Sequence, residues 1–459
     1  MLGCAKFRWT GMEMALGKGW EIRMAAAPAW STRSPVPAVV PPLSHPSHVR
    51  RWKGCAPRIL SIPKMKIKEL FDHIETAERK GHRVQVRELY AELLKRGQRD
   101  AGTWISFAES LMGVLSHGEA EEALNRAAAC LDADMLPFWF SSRGRLLEGM
   151  GRYEEALEAW LEAHRWRPDH ASFLKYAGLI SLELGRADTA EELLRQAVRC
   201  GEGAIDEAYY SLGLVLITKR NYRQAAECFG IALDMDPNYQ AARKRLQDLQ
   251  GILDGTAVPS HMAELGKKEF DELVDQAEGK GHKVRFRELH AALPGSRMDD
   301  YPGQHLTYAS VLLDIMAYGE AEEALDRAKA LMRRNDQHYV LNLRGRLLES
   351  TGRFGEAVEA WLEAHRLRPD YTGYLLYAGI ASHKMGRLDQ AEDLLRQATR
   401  CPDGYPDEAF YNLGVLLLSK RCYHQAAGCF RRALEIDPDY TSARKRLADL
   451  ISVMGHMED

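Results

Sequence analysis

The sequence lacks the features that mark a membrane, metal-binding or disulfide-bonded protein. No apolar run approaches the roughly 18 residues that a membrane-spanning helix needs. Its eight cysteines form no C-x-x-C pair, and the simplest interpretation is reduced, packed thiols in a cytoplasmic protein. Cys422 and Cys429 lie seven residues apart and could share a helix face, so a metal or disulfide role stays open for that pair alone.

Patterns typical of catalysis are missing as well. The sequence contains no phosphate-cradling glycine loop, no zinc-ligand spacing and no recognisable set of nucleophile, base and acid. His82 and His282 follow glycines in two similar Lys-Gly-His turns, where a residue that starts a helix is a simpler interpretation than a ligand. We therefore expect no enzyme activity, no cofactor and no metal.

Charge is distributed unevenly along the chain. The formal net charge is −3, but residues 1–64 hold ten Lys and Arg against two acidic residues, so the remainder carries −11. An acidic body is poorly suited to a phosphate backbone. We therefore expect no nucleic acid among the partners.

Residues 1–64 are predicted to be disordered, because eight of the 18 prolines lie there and no hydrophobic period is sustained. Three interpretations compete for this acid-poor segment. It resembles an organelle transit peptide, it could serve as a basic docking arm, or it is an upstream extension of a reading frame that starts at Met65. A strong helical pattern begins abruptly at Met65, which favours the extension.

One repeated pattern dominates the rest of the chain and is clearest in residues 137–169. Apolar residues share one face of a first helix, Gly151 ends that helix, and a second amphipathic helix runs to Pro168. A glycine inside a helix, such as Gly144, costs roughly 1 kcal/mol relative to alanine. We expect it to permit close approach of the second helix, with Ala156 as the small residue opposite. A hairpin this short cannot bury its apolar faces alone, but stacked copies can.

This unit resembles the tetratricopeptide repeat, a helix–turn–helix with a 34-residue period. With Pro168 at repeat position 32, Gly144 stands at position 8 and Trp160 at position 24, as in the family's pattern. Arg143 departs from it at position 7, where the family prefers an apolar residue. The resemblance implies an all-α solenoid of helical hairpins, with Trp160 and its counterpart Trp361 in the core.

The whole array occurs twice. GRLLE recurs at 144–148 and 345–349 and ARKRL at 242–246 and 443–447, at a constant offset of 201 residues. We predict a disordered segment over 1–64, a first module over 65–253, a short linker over 254–265 and a second module over 266–459. The last helix of each module is expected to be a solvated cap, as terminal repeats need for solubility.

In tetratricopeptide arrays the first helices of successive hairpins line an inner groove. Carrying those positions over implies a partner-binding groove in each module, which in the first comprises Phe138, Ser141, Arg145, Lys175, Leu179, Tyr210 and Leu214. In the second it comprises Tyr339, Asn342, Arg346, Leu376, Ile380, Tyr411 and Val415. Each set combines arginine, tyrosine and aliphatic side chains, which are typical interface anchors.

Two further points qualify the predicted grooves. Lys175 is replaced by Leu376 at the equivalent position, so the two grooves need not bind the same sequence. The simplest alternative role for Arg145 is an ion pair with nearby Glu148, as between solvated helix neighbours. Arg346 stands in the same relation to Glu349.

These patterns predict a non-catalytic protein–protein interaction scaffold that binds peptide or helical segments of other proteins. Two tethered grooves could raise the affinity for a bivalent partner. One alternative is a self-assembling structural scaffold. Another is a helical-repeat protein that reads single-stranded RNA one base per repeat, which the acidic body disfavours. The partner and the oligomeric state do not follow from the sequence.

Overall fold

The structure is a computed structural model that describes residues 65–254, 267–292 and 302–455. All of them belong to one compact unit. The predicted disordered segment 1–64, and the predicted linker after its first residue, lie outside the described residues. Within the described ranges the chain is all-α, with 22 α-helices, two short 3-10 helices and no β-strand.

The first array consists of eleven helices. They are α1 Ile67–Lys80, α2 Arg83–Lys95, α3 Ala101–Gly113, α4 His117–Ala128, α5 Leu136–Gly149, α6 Tyr153–Trp166, α7 Ala171–Glu183, α8 Ala187–Ala197, α9 Ile205–Thr218, α10 Tyr222–Met235 and α11 Gln240–Leu253. Consecutive helices pack as antiparallel hairpins, α3 with α4 through α9 with α10, and each hairpin packs on the next.

The second array repeats this order. Its helices are α12 Lys267–Gly279, α13 Lys283–Ala291, α14 Pro302–Asp314, α15 Tyr318–Leu331, α16 Gln337–Ser350, α17 Phe354–Leu367, α18 Thr372–Lys384, α19 Leu388–Ala398, α20 Pro406–Ser419, α21 Tyr423–Ile436 and α22 Thr441–Gly455. The predicted helical-hairpin solenoid is confirmed.

Six of the described hairpins, α5–α6, α7–α8, α9–α10, α16–α17, α18–α19 and α20–α21, pair a glycine of the first helix with a large side chain of the second. A Cβ added to Gly144 would lie 2.8 Å from the indole ring of Trp160, and one added to Gly213 would lie 2.5 Å from the ring of Phe229. The residue nearest to Gly144 is therefore Trp160 and not Ala156. Trp160 and Trp361 are 2% and 0% exposed, so both lie in the core.

Arg143, the residue that departs from the family pattern, does not disturb the packing of Trp160 against Gly144. Arg143 is exposed, and its guanidinium lies 5.3 Å from the ring centroid of Trp139. A cation over an aromatic face is a favourable contact. The Arg143 side chain therefore covers the Trp139 ring at the surface and does not enter the core.

The terminal helices of the arrays are not solvated caps, as the sequence predicted them to be. Helix α11 packs against α13 of the second array, and α22 packs against α2 of the first. Asp248 and Leu249 on α11, and Asp449 and Leu450 on α22, are all buried. The series of packed neighbours is therefore closed, since the last helix of the chain contacts its second.

We call the α11–α13 contact the linker joint and the α22–α2 contact the closing joint. In each joint a terminal helix of one array is paired with the second helix of the other. Helices α1 and α12 pack on α2 and α13 respectively. Each joint thus has the form of a hairpin assembled from helices that are not consecutive in the chain.

The two arrays also meet at the turn of their third hairpins. An added Cβ at Gly151 would lie 2.9 Å from the carbonyl oxygen of Gly352, and one at Gly352 would lie 2.7 Å from that of Gly151. Both glycines have φ of +74°, which is the left-handed region. Glycine is required at these turns for its conformation and because backbone touches backbone.

Candidate partner-binding surface

The fourteen side chains predicted to line the grooves lie on α5, α7 and α9 and on α16, α18 and α20. Tyr339 is exposed. Ten are half-buried: Phe138, Ser141, Arg145, Leu179, Tyr210, Leu214, Asn342, Arg346, Ile380 and Tyr411. Lys175, Leu376 and Val415 are buried, so these three do not lie on an accessible surface.

The two groove arginines pair with acidic side chains of the preceding hairpin. Arg145 forms an ion pair with Glu109, which also accepts a hydrogen bond of 2.9 Å from the Ser142 hydroxyl. Arg346 lies 3.5 Å from a carboxylate oxygen of Asp314. The alternative of pairing within one helix, Arg145 with Glu148, is therefore not what the structure contains. These arginines link neighbouring hairpins.

The grooves differ most at the Lys175 position. Its ammonium pairs with the carboxylate of Glu207 and lies 4.1 Å from the ring centroid of Tyr176. The side chain is only 4% exposed, and a buried charge needs such partners. Leu376 at the equivalent position is fully buried and cannot pair with Glu408, the counterpart of Glu207.

Three glutamates and a lysine gather near the contact between the two central turns. Lys384 lies 2.8 Å from Glu349. Burial raises the pKa of Glu183 to about 8, with a further contribution from the negative charge of Glu148, while Tyr153 and Lys384 act against the shift. Burial likewise raises the pKa of Glu148 to about 7 against the lowering effect of nearby cations. Part of the carboxylic groups here is therefore protonated near neutral pH.

One oxygen of this group is left without a partner. The Oε2 atom of Glu183 is buried and has no hydrogen-bond partner among the described residues. An ionised carboxylate in that position would be costly. This agrees in direction with the raised pKa of Glu183.

Residues at the turn between α3 and α4 of the first array contact the second array. His117 of the first array donates from Nδ1 to the carbonyl oxygen of Lys384 at 3.2 Å. Val114 and Leu115 belong to the same buried cluster as Leu376 and Val415. The buried cluster that contains these two groove residues therefore extends into the first array.

The residues that join the arrays were not predicted from the sequence. Arg87, Glu88 and Asp449 form the centre of the closing joint, and each has an identical counterpart in the linker joint, which holds Arg287, Glu288 and Asp248. The signal that could have found them is their retention in both copies on helices that otherwise differ. Charged residues scattered on a helix normally indicate a solvated face.

The described residues contain no group of three or more His, Cys, Asp or Glu side chains placed to hold a metal ion. None of the described helices is long and apolar enough to cross a membrane. None of the six described cysteines, Cys422 and Cys429 included, is in a disulfide.

A closed stack of helical hairpins with an inner surface of first helices defines a helical-repeat solenoid. Residues 142–205 and 342–409 match the tetratricopeptide repeat family, and so do residues 206–239 and 407–440. Those residues are tetratricopeptide repeats. Arrays of this kind serve in general as scaffolds that bind other proteins along extended concave surfaces.

Similar proteins include human tetratricopeptide repeat protein 7B, which is 31% identical over 141 residues, or 31% of this chain and 16% of that relative. The auxiliary subunit of the N-terminal acetyltransferase A complex of Arabidopsis thaliana is 26% identical over 272 residues, or 55% of this chain and 26% of that relative. The matches thus span about a quarter or less of these relatives.

Solved structures with some similarity to this chain include the following two. A tetratricopeptide repeat protein from Parabacteroides merdae has 12% identity and a TM-score of 0.31, covering 61% of this chain and 98% of its own. The MamA protein has 17% identity and a TM-score of 0.32, covering 38% of this chain and 93% of its own.

Proposed function

We propose that the protein is a non-catalytic interaction scaffold that binds a peptide or helical segment of a partner protein along the inner surface of each array. The surface in question is the open part of the predicted grooves, away from the turns that the opposite array covers. The tetratricopeptide repeats support the general role, and the half-buried side chains support the position.

The observation that carries this proposal is a strip of half-buried apolar side chains across neighbouring first helices. In the first array it contains Leu179, Tyr210 and Leu214, and in the second it contains Ile380 and Tyr411. Fully burying a large apolar side chain stabilises by about 1.5–3 kcal/mol relative to leaving it exposed. A partner that covers these half-buried side chains would gain a substantial part of that free energy.

The two strips are not equivalent, which argues for two different bound segments. Lys175 and Glu207 neutralise each other in the first array, whereas Glu408 in the second has no lysine at the matching position. Two tethered sites would bind a partner that carries both segments more tightly than either site alone. Bivalent binding is therefore part of the proposal.

We also propose that the protein works in the cytoplasm without a cofactor. Thiols stay reduced there, and none of the described cysteines is placed in a disulfide. The buried carboxyl groups at the centre of the molecule serve the contact between the arrays in this account, and no reaction is assigned to them.

The test begins with affinity capture from native lysate, followed by mapping of the bound segment to a labelled peptide. Leu179→Ala combined with Leu214→Ala is then expected to weaken binding of that peptide about tenfold or more, since truncated anchors cost more than about 1 kcal/mol each. Fluorescence anisotropy titration measures the dissociation constant.

The matched control truncates apolar side chains on the outer face of the same array. Ile231 and Met235 on α10 are 39% and 51% exposed, so Ile231→Ala with Met235→Ala should leave the affinity unchanged. Loss of binding in the outer variant, with full binding in the inner one, would place the site elsewhere. Arg145→Glu is unsuited to this test, because it would replace an ion pair by two carboxylates, its own and that of Glu109.

A further inference from the structure

The closing joint and the linker joint contain the same helix-capping contact. In the linker joint, the carboxylate of Asp248 accepts a hydrogen bond of 3.0 Å from the backbone N–H of Val284. In the closing joint, Asp449 accepts one of 3.0 Å from Val84 and a second of 3.4 Å from Gln85. Each aspartate thus caps the first turn of a helix that belongs to the other array, where a negative charge is favoured by the helix dipole.

The same arginine contact also occurs twice. Arg87 is fully buried, and its Nη1 donates to the carbonyl oxygen of Leu418 at 3.0 Å. Arg287 donates to the carbonyl oxygen of Ile217 at 2.8 Å. These acceptors lie at the ends of α20 and α9, where helix carbonyls have no partner within their own helix. A tyrosine hydroxyl completes the pattern, since Tyr423 donates to Glu88 at 2.6 Å.

The two docked helices share the sequence that makes these contacts. Residues 84–89 of α2 read VQVREL, and residues 284–289 of α13 read VRFREL. The surfaces that receive them match as well, with Asp248, Tyr222 and Arg220 in one joint and Asp449, Tyr423 and Arg421 in the other. Either helix therefore has the groups that either surface requires.

The two helices of the closing joint are not brought together by being neighbours in the chain. The atoms that pair in it, such as those of Val84 and Asp449, are 365 residues apart. The contacts across the joint therefore hold α2 against the second array, while α1 and α3 pack on it within its own array. A surface that binds a helix in this way will bind the same helix from another molecule.

We propose that the end of the second array, which α2 covers in this structure, is a docking site for an amphipathic helix with the sequence of α2, and that α2 of a second copy of this chain occupies it when the protein's own α2 detaches from it. Two copies that exchange α2 in this manner form a dimer. This goes beyond partner binding in the grooves, because it uses a different surface and a different occupant.

Within one molecule the internal helix has a strong advantage. A tethered segment acts at an effective concentration of about millimolar, so a second copy at micromolar concentration competes poorly. Exchange is therefore expected when the internal contact is weakened or when two copies refold together at high concentration. The dilute wild-type protein is expected to be closed on itself.

The first test uses full-length protein and a labelled peptide of residues 81–97. Arg87→Ala in the protein removes the buried arginine contact between α2 and the second array and leaves the receiving surface intact. This variant should bind the peptide about tenfold or more tighter than wild type does, because the site is vacated. The same peptide carrying Arg87→Ala should not bind, and adding Asp449→Ala to the protein should abolish binding.

Equal affinity of wild type and variant for the peptide, or equal binding of both peptides, would overturn the proposal. A second measurement does not depend on how well the variant folds. Two wild-type copies with different tags, unfolded and refolded together at high concentration, should yield a dimer that contains both tags. Exclusively monomeric protein in native mass spectrometry of that mixture would equally overturn the proposal.

Discussion

Asp449→Ala is the substitution that probes the closing joint most sharply. The carboxylate is 2% exposed and accepts two backbone N–H groups of the first turn of α2. Loss of a capping side chain costs about 0.5–2 kcal/mol. A buried N–H left without an acceptor costs about 1–3 kcal/mol, and the two effects overlap. We expect α2 to be held less firmly by about 2 kcal/mol.

Native-state hydrogen exchange with mass spectrometry measures this locally. A change of about 2 kcal/mol corresponds to roughly thirtyfold faster exchange. Peptides that cover α2 should show this acceleration, because opening of the joint exposes their amides, whereas peptides from α5 to α7 should be unchanged. The measurement therefore separates loosening of one helix from a general loss of stability.

The duplicated chain supplies a matched control. Asp248 makes the equivalent contact to Val284, so Asp248→Ala should accelerate exchange in α13 and leave α2 unaffected. Unchanged protection of α2 in Asp449→Ala would refute the argument that this carboxylate fastens the helix. Acceleration of both helices by either substitution would show that the joints open together.

Three further predictions concern the contact between the arrays and the thiols. Gly352→Ala should lower the free energy of unfolding by about 1–3 kcal/mol more than Gly386→Ala does. Both glycines have φ of +74°, but of the two only Gly352 touches the backbone of the opposite array. Equal losses of stability in chemical denaturation would contradict this. The pKa of Glu183 is raised from 4.5 to about 8, so its contribution to stability is complete below about pH 4 and is lost as the pH rises to 8. Glu183→Gln should therefore flatten the fall in melting temperature between about pH 4.5 and 8, and an unaltered profile would contradict the assignment. Burial raises the pKa of Cys228 to about 11, so this thiol should react with iodoacetamide much more slowly than the exposed Cys130. Equal reaction rates would show that Cys228 is accessible to the reagent.

Most of the fold follows from local sequence. Glycines at one repeat position and large residues sixteen positions later predict the hairpins, and Gly144 with Trp160 shows why, since no side chain fits between them. These patterns repeat about every 34 residues, so each hairpin can be recognised from residues that are close together in the sequence.

The closure of the arrays could not be predicted in the same way. It depends on Arg87, Glu88 and Asp449, which in sequence are ordinary charges on amphipathic helices. Their roles appear only when helices hundreds of residues apart are brought together. For the same reason the terminal helices were expected to be solvated, although each of them is covered by a helix of the opposite array.

The predicted grooves were affected by this closure. Repeat position places Leu376 and Val415 on the inner surface, but both are buried in one cluster with Val114 and Leu115 of the first array. Arg145 is bound to Glu109 of the preceding hairpin, a contact that repeat position does not specify. The half-buried residues that remain are the ones on which the proposed partner site depends.

Cross-linking between the two arrays, beside the closing joint, tests the central claim of a closed array most directly. Arg421 and Glu119 pair at 2.9 Å although they are 302 residues apart, so Glu119→Cys with Arg421→Cys places two thiols within reach of a short bismaleimide. Closure predicts an intramolecular link between these positions whose yield does not change on dilution, detected by peptide mass spectrometry. Absence of the link in folded protein, or a link found only between molecules, would contradict it.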